Sequence, residues 1–303
     1  MTVSYLVLVL SILILIGYFS RKLRIVDERF SKNLSNFLFD IAYPAMIIES
    51  MQFAFSLDSL KQSFRLIVIS IAVLIVSKIV AAIVTRLMKA DKKSKGVIVF
   101  SIMYSNFTFM AIPIVEELYG KEILFYLAIF TAVMRIAYNT FGVNEIAKSL
   151  DKESGVNFKN IINPPLVAIG VGLIIYIFSI QLPYPLEKTI EMLSDTVSPF
   201  GMVITGLILA EYPVKNIIKE YRVYIIALAR LIIVPLIVVL MSNIFNFTEV
   251  ERQLSIIISA MPVASTCVMI AKKYEADSKL AAGAAFMTTI LSIGTIPLIL
   301  LLV

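Results

Sequence analysis

Ten apolar runs of membrane-spanning length follow one another along this chain, and they constrain its fold more than any other feature. A run of about 17–25 apolar residues can cross the hydrocarbon core of a bilayer as a helix. Hydrophobic residues make up 59% of the sequence and charged residues 16%, against about 25% charge in a soluble domain. The sequence therefore predicts an all-α integral membrane protein with ten transmembrane helices. The predicted spans are 4–20, 34–51, 66–85, 97–118, 123–144, 164–181, 193–211, 223–243, 254–271 and 280–302.

Positive charge is distributed unevenly between the connecting loops. Most of the 27 lysines and arginines fall in the loops that follow odd-numbered spans. Because such residues mark the cytoplasmic side, we expect these loops inside and both termini outside a cytoplasmic membrane. The net charge of +6 is then explained by loop orientation beside the lipid bilayer, and no nucleic-acid partner is expected.

Histidine is absent and cysteine occurs once, at Cys267. The chain therefore has no histidine-ligated metal site and no intrachain disulfide, and Asp and Glu are the side chains left to carry protons. The HExxH, GxGD and paired-aspartate motifs of intramembrane enzymes are also missing. We therefore expect no enzyme activity, no catalytic residue, no metal and no cofactor.

Spans 1–5 and 6–10 form two halves with equal numbers of spans. Since five is odd, two halves that share a fold must insert with opposite topology, as in inverted-repeat transporters. Prolines fall at matching places, with Pro44 in span 2 matching Pro199 in span 7, and Pro113 in span 4 matching Pro262 in span 9. The predicted domains are a first five-helix repeat over 1–146, a cytoplasmic loop over 147–163 and an inverted second five-helix repeat over 164–303.

Spans 4 and 9 are the most informative matching pair. Pro113 interrupts SIMYSNFTFMAIPIVEELYG, and Pro262 interrupts IIISAMPVASTCVMIAKKYE. Proline removes a backbone donor and clashes with the preceding turn, so both helices should kink or break there. In lipid, the freed backbone groups must be buried in protein or line a cavity, and a matched pair of interrupted spans points to a substrate site. Two half-helix N-termini would then offer amides and partial positive charge to a carboxylate.

Polar side chains flank the two prolines. Asn106 and Thr108 precede the first, and Ser265 and Thr266 follow the second. These side chains either cap freed backbone groups or bind a substrate. We favour capping for Thr108 and Thr266 and substrate contact for Asn106, and Ser265 is a further substrate-binding candidate.

Three basic residues lie inside spans. Arg135 is near the middle of span 5, one turn from Asn139, so the two share a face. A charge at the bilayer centre costs at least ~2.5–3.5 kcal/mol, so it should face a cavity or a partner. Arg135, with Asn139, is a candidate counter-ion for an anionic substrate, and a structural ion pair is the equal alternative. A structural pair is favoured for Arg230, and snorkelling to the surface for Lys78. The acidic residues available for such pairs are Asp40, Glu49, Asp195 and Glu211.

Acidic residues within span 2 are candidates for ion coupling. Asp40 and Glu49 lie in an otherwise apolar segment, where an ionisable side chain marks an ion or proton pathway by default. Either H+ or Na+ is compatible with two carboxylates, and the sequence does not choose between them.

The segments around the two prolines carry a recognisable motif. The first has Asn106, five further residues and Ile112-Pro113, closed by Tyr119-Gly120. The second has Ala-Met-Pro at 260–262 and ends in Ala-Lys-Lys-Tyr at 271–274. These segments, and the proline-containing second span over 34–51, resemble the auxin efflux carrier family, which includes plant auxin exporters and prokaryotic carriers of the malate or malonate type. The likeness extends over essentially the whole chain.

This resemblance implies a particular fold and site. It implies ten helices in two inverted repeats, related to sodium/proton antiporters and bile-acid symporters. Spans 4 and 9 would cross beside the substrate, and a mobile bundle would move against a dimer-forming scaffold. It carries over Asn106, Pro113 and Pro262 as elements of the substrate site. The chain departs from the plant exporters at Ala111, where they have glycine, and at Thr266 or Cys267, where they have a second proline.

Together these features predict a secondary transporter of a small organic anion, such as a carboxylate, an auxin-like acid or a dicarboxylate. It would work by alternating access of the elevator type, as a homodimer. One alternative is a sodium-coupled symporter of the bile-acid type, which would require a sodium gradient. Another is a channel or membrane sensor, which would show no saturable counterflow. The predicted substrate-binding residues are Asn106, Pro113, Pro262, Ser265, Arg135 and Asn139, and the coupling-ion candidates are Asp40 and Glu49.

Overall fold

The computed structural model describes residues 3–53, 55–150, 162–211 and 219–302. Their regular structure consists of α-helices and π-helical turns, with one isolated antiparallel bridge between Ser105 and Val263. The predicted all-α class is therefore confirmed for the described part of the chain. Most of the predicted cytoplasmic loop, 147–163, lies outside the described residues.

Helical segments overlap each of the ten predicted spans. Those in the first five are α1 (Val3–Lys22), α2 (Glu28–Phe37), π1 (Leu38–Ala42), α3 (Tyr43–Glu49), α4 (Leu57–Leu87), α5 (Lys92–Met103), π2 (Phe107–Ala111), α6 (Ile112–Tyr119), α7 (Ile123–Ala137), π3 (Tyr138–Gly142) and α8 (Val143–Lys148). Those in the last five are α9 (Pro164–Ile177), α10 (Tyr184–Ser194), α11 (Val197–Leu209), α12 (Tyr221–Leu228), π4 (Ala229–Ile233), α13 (Val234–Ile244), α14 (Glu249–Ala260), α15 (Thr266–Tyr274) and α16 (Ser278–Leu300).

Five helices in the described part of the chain are long and apolar enough to cross a membrane. They are Leu57–Leu87, Ile123–Lys148, Tyr184–Leu209, Tyr221–Ile244 and Ser278–Leu300. Each exceeds the roughly 20 residues that a bilayer core requires. Transmembrane placement of the remaining predicted spans stays a prediction.

One face of α4 remains apolar and exposed along most of its length. Its exposed apolar residues recur every three or four positions, which places them on one side of a helix. An uninterrupted apolar stripe of this length suits contact with lipid chains better than contact with water. The residues are Phe64, Val68, Ile71, Ile75, Ile79, Ile83 and Leu87.

Three of the π-helical turns stand directly before a helix that carries proline in its first turn. The turns π1, π2 and π4 precede Pro44, Pro113 and Pro235. Proline cannot donate a hydrogen bond to the carbonyl one turn earlier, and a turn widened by one residue accommodates this loss. At these three prolines the helix therefore widens by one residue and continues without a break.

The chain divides into two compact units. Unit 1 contains Met1–Val68, Thr108–Val133 and Lys159–Ala210, and unit 2 contains Ile69–Phe107, Met134–Phe158 and Glu211–Val303. Each unit draws on both halves of the sequence, so the units differ from the predicted repeats over 1–146 and 164–303. Those repeats stay a prediction.

In unit 1, two glycines bring the backbones of α1 and α11 together. A Cβ atom on Gly17 would lie 2.1 Å from the carbonyl oxygen of Val203, and one on Gly206 would lie 1.9 Å from that of Ile14. No side chain tolerates a backbone atom at such a distance. Small residues permit close helix–helix contact in membranes, where dispersion forces drive association. The packing of α1 on α11 therefore requires glycine at both positions.

In unit 2, two further glycines allow close packing at α5, Gly96 near its start and Gly142 beside the residue that follows its end. A Cβ atom on Gly96 would lie 2.6 Å from the Cα atom of Ile146 in α8, and one on Gly142 would lie 2.7 Å from Cε2 of Tyr104. The Tyr104 hydroxyl also donates a hydrogen bond of 3.1 Å to the carbonyl of Ala137. Tyr104, the residue that follows α5, is thereby held by its hydrogen bond to Ala137 and by its contact with Gly142.

Unit 2 also contains an ion-pair cluster at the start of α12. The carboxylate of Glu220 accepts hydrogen bonds from Nε and Nη2 of Arg222, at 2.8 and 2.9 Å. Arg222 also lies 3.2 Å from a carboxylate oxygen of Asp277. Side-chain hydrogen bonds from Arg222 hold the pKa of Glu220 below its usual value of 4.5.

Acidification is expected to weaken this cluster. Because the pKa of Glu220 is lowered in the folded state, the stabilisation is present above about pH 4.5 and is lost as the pH falls through the folded-state pKa. The thermal unfolding midpoint of detergent-solubilised protein should therefore fall on acidification below about pH 4.5. Glu220→Gln should make this decline shallower, by about 1 kcal/mol or less for a part-exposed pair. Asp58→Asn, at a side chain that is 93% exposed, is the control, and equally steep declines in wild type and Glu220→Gln would contradict the expectation.

Candidate functional site

Span 4 is interrupted at Tyr104–Asn106 instead of at Pro113. Helix α5 ends at Met103, and helical structure resumes at Phe107 in π2, which runs directly into α6. Pro113 occupies the first turn of α6, where its missing N–H is least costly. The structure thus corrects the expected position of the break, and it places Pro113 in unit 1.

The second interruption lies at Pro262, as the sequence predicts. Helix α14 ends at Ala260, and α15 begins at Thr266. The backbone of Met261 is already extended, with φ −67° and ψ 146°. Span 9 therefore consists of two half-helices joined by unwound chain.

The two unwound segments pair with each other inside unit 2. An antiparallel bridge joins Ser105 to Val263. The bonds on either side run from the Asn106 amide to the Pro262 carbonyl (2.8 Å) and from the Ala264 amide to the Tyr104 carbonyl (3.2 Å). The Thr288 hydroxyl of α16 accepts a further bond from the Val263 amide, at 3.1 Å. Unwound backbone in a membrane must find such partners, so these bonds explain why the chain tolerates both interruptions.

Arg230 satisfies the carbonyl groups on the other side of the breaks. Its Nε, Nη1 and Nη2 atoms donate to the carbonyl oxygens of Met261 (3.0 Å), Ile102 (2.9 Å) and Ile258 (3.1 Å). The Ile102 and Ile258 carbonyls belong to the last turns of α5 and α14, and Met261 is the extended residue that follows α14. The Ile258 carbonyl also accepts a long bond of 3.4 Å from the Met261 amide. Arg230 thus supplies donors where the helix ends leave carbonyls short of intrahelical partners. A structural role was favoured for Arg230, but the expected acidic partner is wrong, since its described partners are main-chain carbonyls.

Asn106 lies at the point where the second half of span 4 begins. Its side chain is 6% exposed, and its backbone amide is used in the pairing with Pro262. Within the described residues, the Asn106 side chain makes no hydrogen bond to protein. An amide carries two donors and an acceptor, and the polar atoms of the Asn106 side chain are not among the fully buried ones that lack a partner, so they stay accessible to a small molecule.

Arg135 in α7 lies close to the interruption of span 4. Its side chain is 4% exposed, and its guanidinium lies 5.2 Å from the ring centroid of Phe107, the residue after Asn106. This is a cation–π arrangement. Asn139, one turn later, donates its side-chain amide to the Arg135 carbonyl at 3.0 Å. The Arg135 guanidinium therefore lies beside the first helical residue after the unwound segment of span 4, and Asn139 binds the backbone of Arg135.

Ser265 and Thr266 stand at the start of the second half-helix of span 9. Both are half-buried, and the Ser265 side chain does not cap α15. Ser265 thus keeps a hydroxyl beside the start of α15.

The acidic candidates occupy other places. Asp40 is exposed in π1, and Glu49 accepts a hydrogen bond of 3.0 Å from Lys121, which also binds Asp195 at 2.8 Å. All of these residues lie in unit 1, whereas the unwound segments lie in unit 2. Lys78, expected to snorkel, forms an ion pair with Glu145 in α8.

Two contributors to the site could not be recognised from the sequence. Thr288 lies in an apolar last span and binds unwound backbone, and Arg230 binds three carbonyls in place of a carboxylate. The one available signal was the cost of a charge inside an apolar span. Among the residues that the structure describes, no group of three or more His, Cys, Asp or Glu is arranged to hold a metal ion.

These features define a class of protein. Long apolar helices, together with two interrupted spans whose unwound segments pair and present helix starts beside a buried amide, are the architecture of transporters with discontinuous helices. Comparison with known proteins agrees, because the membrane transport protein family matches residues 2–155 and 153–300. The chain belongs to this family, and the family predicted from the two proline segments is confirmed.

Three individual relatives are named as transporters, and two of them match over nearly the whole chain. An uncharacterized transporter of Methanocaldococcus jannaschii is 26% identical over 306 residues, which cover 96% of each chain. Another, of Methanothermobacter thermautotrophicus, is 24% identical over 96% of this chain and 95% of its own. A Rhizobium meliloti protein named "Putative malonate transporter" is 25% identical over 142 residues, 46% of this chain and 44% of that protein.

Proposed function

We propose that the protein is a secondary transporter of a small organic anion, with a carboxylate as the recognised group. The observation that carries this proposal is the state of Asn106. Its side chain is 6% exposed, has no hydrogen-bond partner within the described residues, and directly precedes a helix start formed by unwinding inside an apolar span. An accessible amide on an otherwise buried residue at such a position is suited to a ligand that completes its hydrogen bonds.

The surrounding charges favour an anion. The first turn of a helix presents amides without intrahelical acceptors and about half a positive charge, and helix starts follow Asn106 and Ser265. Arg135 adds a full positive charge beside Phe107. In this arrangement Asn106, Ser265 and Pro262 line the carboxylate position, and Arg135, steadied by Asn139, supplies the counter-ion. Pro113 acts indirectly, by placing the widened turn that follows Asn106.

We further infer alternating access of the elevator type. Unit 1 contains spans 1, 2, 6 and 7, and unit 2 contains spans 8, 9 and 10 with most of span 3. Under a repeat of five spans, positions 1 and 2 correspond to 6 and 7. Spans at corresponding positions of the two halves thus fall in the same unit, which supports the inverted repeats over 1–146 and 164–303. In this proposal unit 2 holds the substrate. A homodimer, with both termini outside the cytoplasmic membrane and Asp40 or Glu49 as sites for a coupling H+ or Na+, completes the proposal.

Uptake into liposomes tests the function directly. Purified protein in proteoliposomes should take up labelled malonate with saturation, and an excess of unlabelled malonate inside should accelerate entry of label. The choice of malonate follows the name of the Rhizobium meliloti relative. Malate and acetate distinguish dicarboxylate from monocarboxylate recognition. Flux that rises linearly with concentration and shows no counterflow would instead indicate a channel.

A further inference from the structure

The buried guanidinium of Arg230 lies where two half-helices end. The side chain is 2% exposed, and its three donor atoms are within 3.1 Å of the carbonyl oxygens of Met261, Ile102 and Ile258. The Ile102 carbonyl belongs to the end of α5, the Ile258 carbonyl to the last turn of α14, and the Met261 carbonyl to the extended residue directly after α14. A single side chain from π4 thus joins the C-terminal ends of both broken spans.

Helix ends balance the charge of Arg230. Each helix C-terminus carries about half a negative charge on its unpaired carbonyls, so two such ends match one guanidinium. No Asp or Glu within the described ranges forms an ion pair with Arg230. A buried charge without compensation is strongly unfavourable in a membrane, so the two helix ends and Arg230 stabilise one another.

Carbonyl ends of this kind are also suitable ligands for a free cation. In transporters with discontinuous helices, unwound carbonyls and half-helix C-termini coordinate sodium ions or protons. Here three carbonyl oxygens converge on one side chain, and that side chain is itself a permanent cation. The position that a soluble ion would occupy is therefore filled by part of the chain.

We propose that Arg230 is a tethered counter-cation in a latent site for a monovalent cation, formed by the carbonyls of Ile102, Ile258 and Met261. Since the tethered cation cannot dissociate, transport needs no sodium ion at this position. The statement about transport rests on the proposed function, whereas the latent site is tested by stability alone. Arg230 acts here as a positioning residue, through the backbone it holds.

Two variants separate charge from volume. Arg230→Ala removes the guanidinium and leaves space beside the three carbonyls, whereas Arg230→Met removes the charge and keeps the space filled. In choline chloride, both purified variants should unfold at a lower temperature than wild type. Millimolar guanidinium chloride, or sodium chloride in place of choline chloride, should raise the unfolding temperature of Arg230→Ala but not of Arg230→Met or wild type. Urea at the same concentration is the uncharged control and should have no effect.

The stability result can overturn the proposal in two ways. Failure of both cations to stabilise Arg230→Ala would do so, as would equal stabilisation of Arg230→Met. If Arg230→Ala cannot be purified in a folded state, Arg230→Lys decides. A lysine ammonium retains the charge, so this variant should unfold at a higher temperature than Arg230→Met. A lysine variant no more stable than Arg230→Met would refute a counter-cation.

The transport arm measures labelled malonate uptake. With H+ as the coupling ion at Asp40 or Glu49, wild-type uptake should agree within about twofold between sodium and choline. Arg230→Ala should then be about tenfold slower in choline, the equivalent of one lost hydrogen-bonded interaction, and should recover in sodium. Sodium-dependent uptake by wild type, together with an Arg230→Ala variant that ignores sodium, would overturn the proposal. If wild type moves no malonate, the proposed substrate is wrong, and the stability measurements still decide the latent site.

Discussion

Asn106→Ala is expected to lower carboxylate transport by about 10- to 100-fold, because a hydrogen bond to a charged group contributes about 1.5–3 kcal/mol. The same substitution should leave folding almost unchanged. The Asn106 side chain makes no hydrogen bond within the described residues, and the backbone bond from its amide to Pro262 survives in alanine. Uptake of labelled malonate into proteoliposomes measures the first effect, and thermal unfolding in detergent measures the second.

Two further variants sharpen this prediction. Asn106→Asp keeps the shape of the side chain and adds a negative charge beside the helix start, so it should reduce uptake of an anion at least as strongly as alanine does. Asn33→Ala, at an exposed position in α2, is the matched control and should transport normally. Normal uptake by folded Asn106→Ala would remove Asn106 from the site, and a gain of uptake in Asn106→Asp would argue against an anionic substrate.

Gly206→Ala is expected to prevent stable packing of α1 on α11. The added Cβ atom would lie 1.9 Å from the carbonyl oxygen of Ile14, and neither helix backbone can yield without separating. Overpacking of a core typically costs about 1–3 kcal/mol, and a clash between two backbones should be at the upper end of this range or beyond. We expect a large loss of monodisperse protein after purification and a lower unfolding temperature for what remains.

Glycines with open surroundings provide the controls for this second prediction. A Cβ atom on Gly170 in α9 or Gly294 in α16 would meet nothing within 4 Å. Gly170→Ala and Gly294→Ala should therefore be neutral or slightly stabilising, since alanine is favoured over glycine in a helix by about 1 kcal/mol. Gly17→Ala should resemble Gly206→Ala. If Gly206→Ala behaved like Gly170→Ala, α1 and α11 would not be in the close contact that the structure shows.

The sequence predicts the helical class and the interruption of span 9 because both depend on local chemistry. Apolar runs identify helices, and Pro262 lies where the chain unwinds. In span 4 the prediction from proline was wrong. A π-helical turn directly before α6 accommodates Pro113, and the chain unwinds at Tyr104–Asn106 instead. What fixes that position is pairing with a segment far along the chain, at Pro262 and Ala264, which local propensity does not encode.

The partners of Arg230 could not be predicted from the sequence for a related reason. A buried arginine can be expected to need a partner, and an acidic side chain is the partner that a sequence makes visible. Main-chain carbonyls are present at every residue, so only the fold reveals which of them are left without a backbone N–H donor. The sequence placed Asn106, Arg135 and Asn139 in neighbouring spans, and the contact between Arg135 and Phe107 required the structure.

The length of α4 has a consequence for the surrounding lipid. Its 31 residues extend over about 46 Å, whereas the hydrocarbon layer is about 30 Å thick. The stretch between Arg65 and Arg86 matches that thickness, so these two arginines are expected at opposite headgroup layers, with roughly two turns before Arg65 projecting into water. A helix that is longer than the hydrocarbon layer adapts to a change in bilayer thickness mainly by tilting. Bilayers with longer or shorter acyl chains should therefore change the inclination of α4.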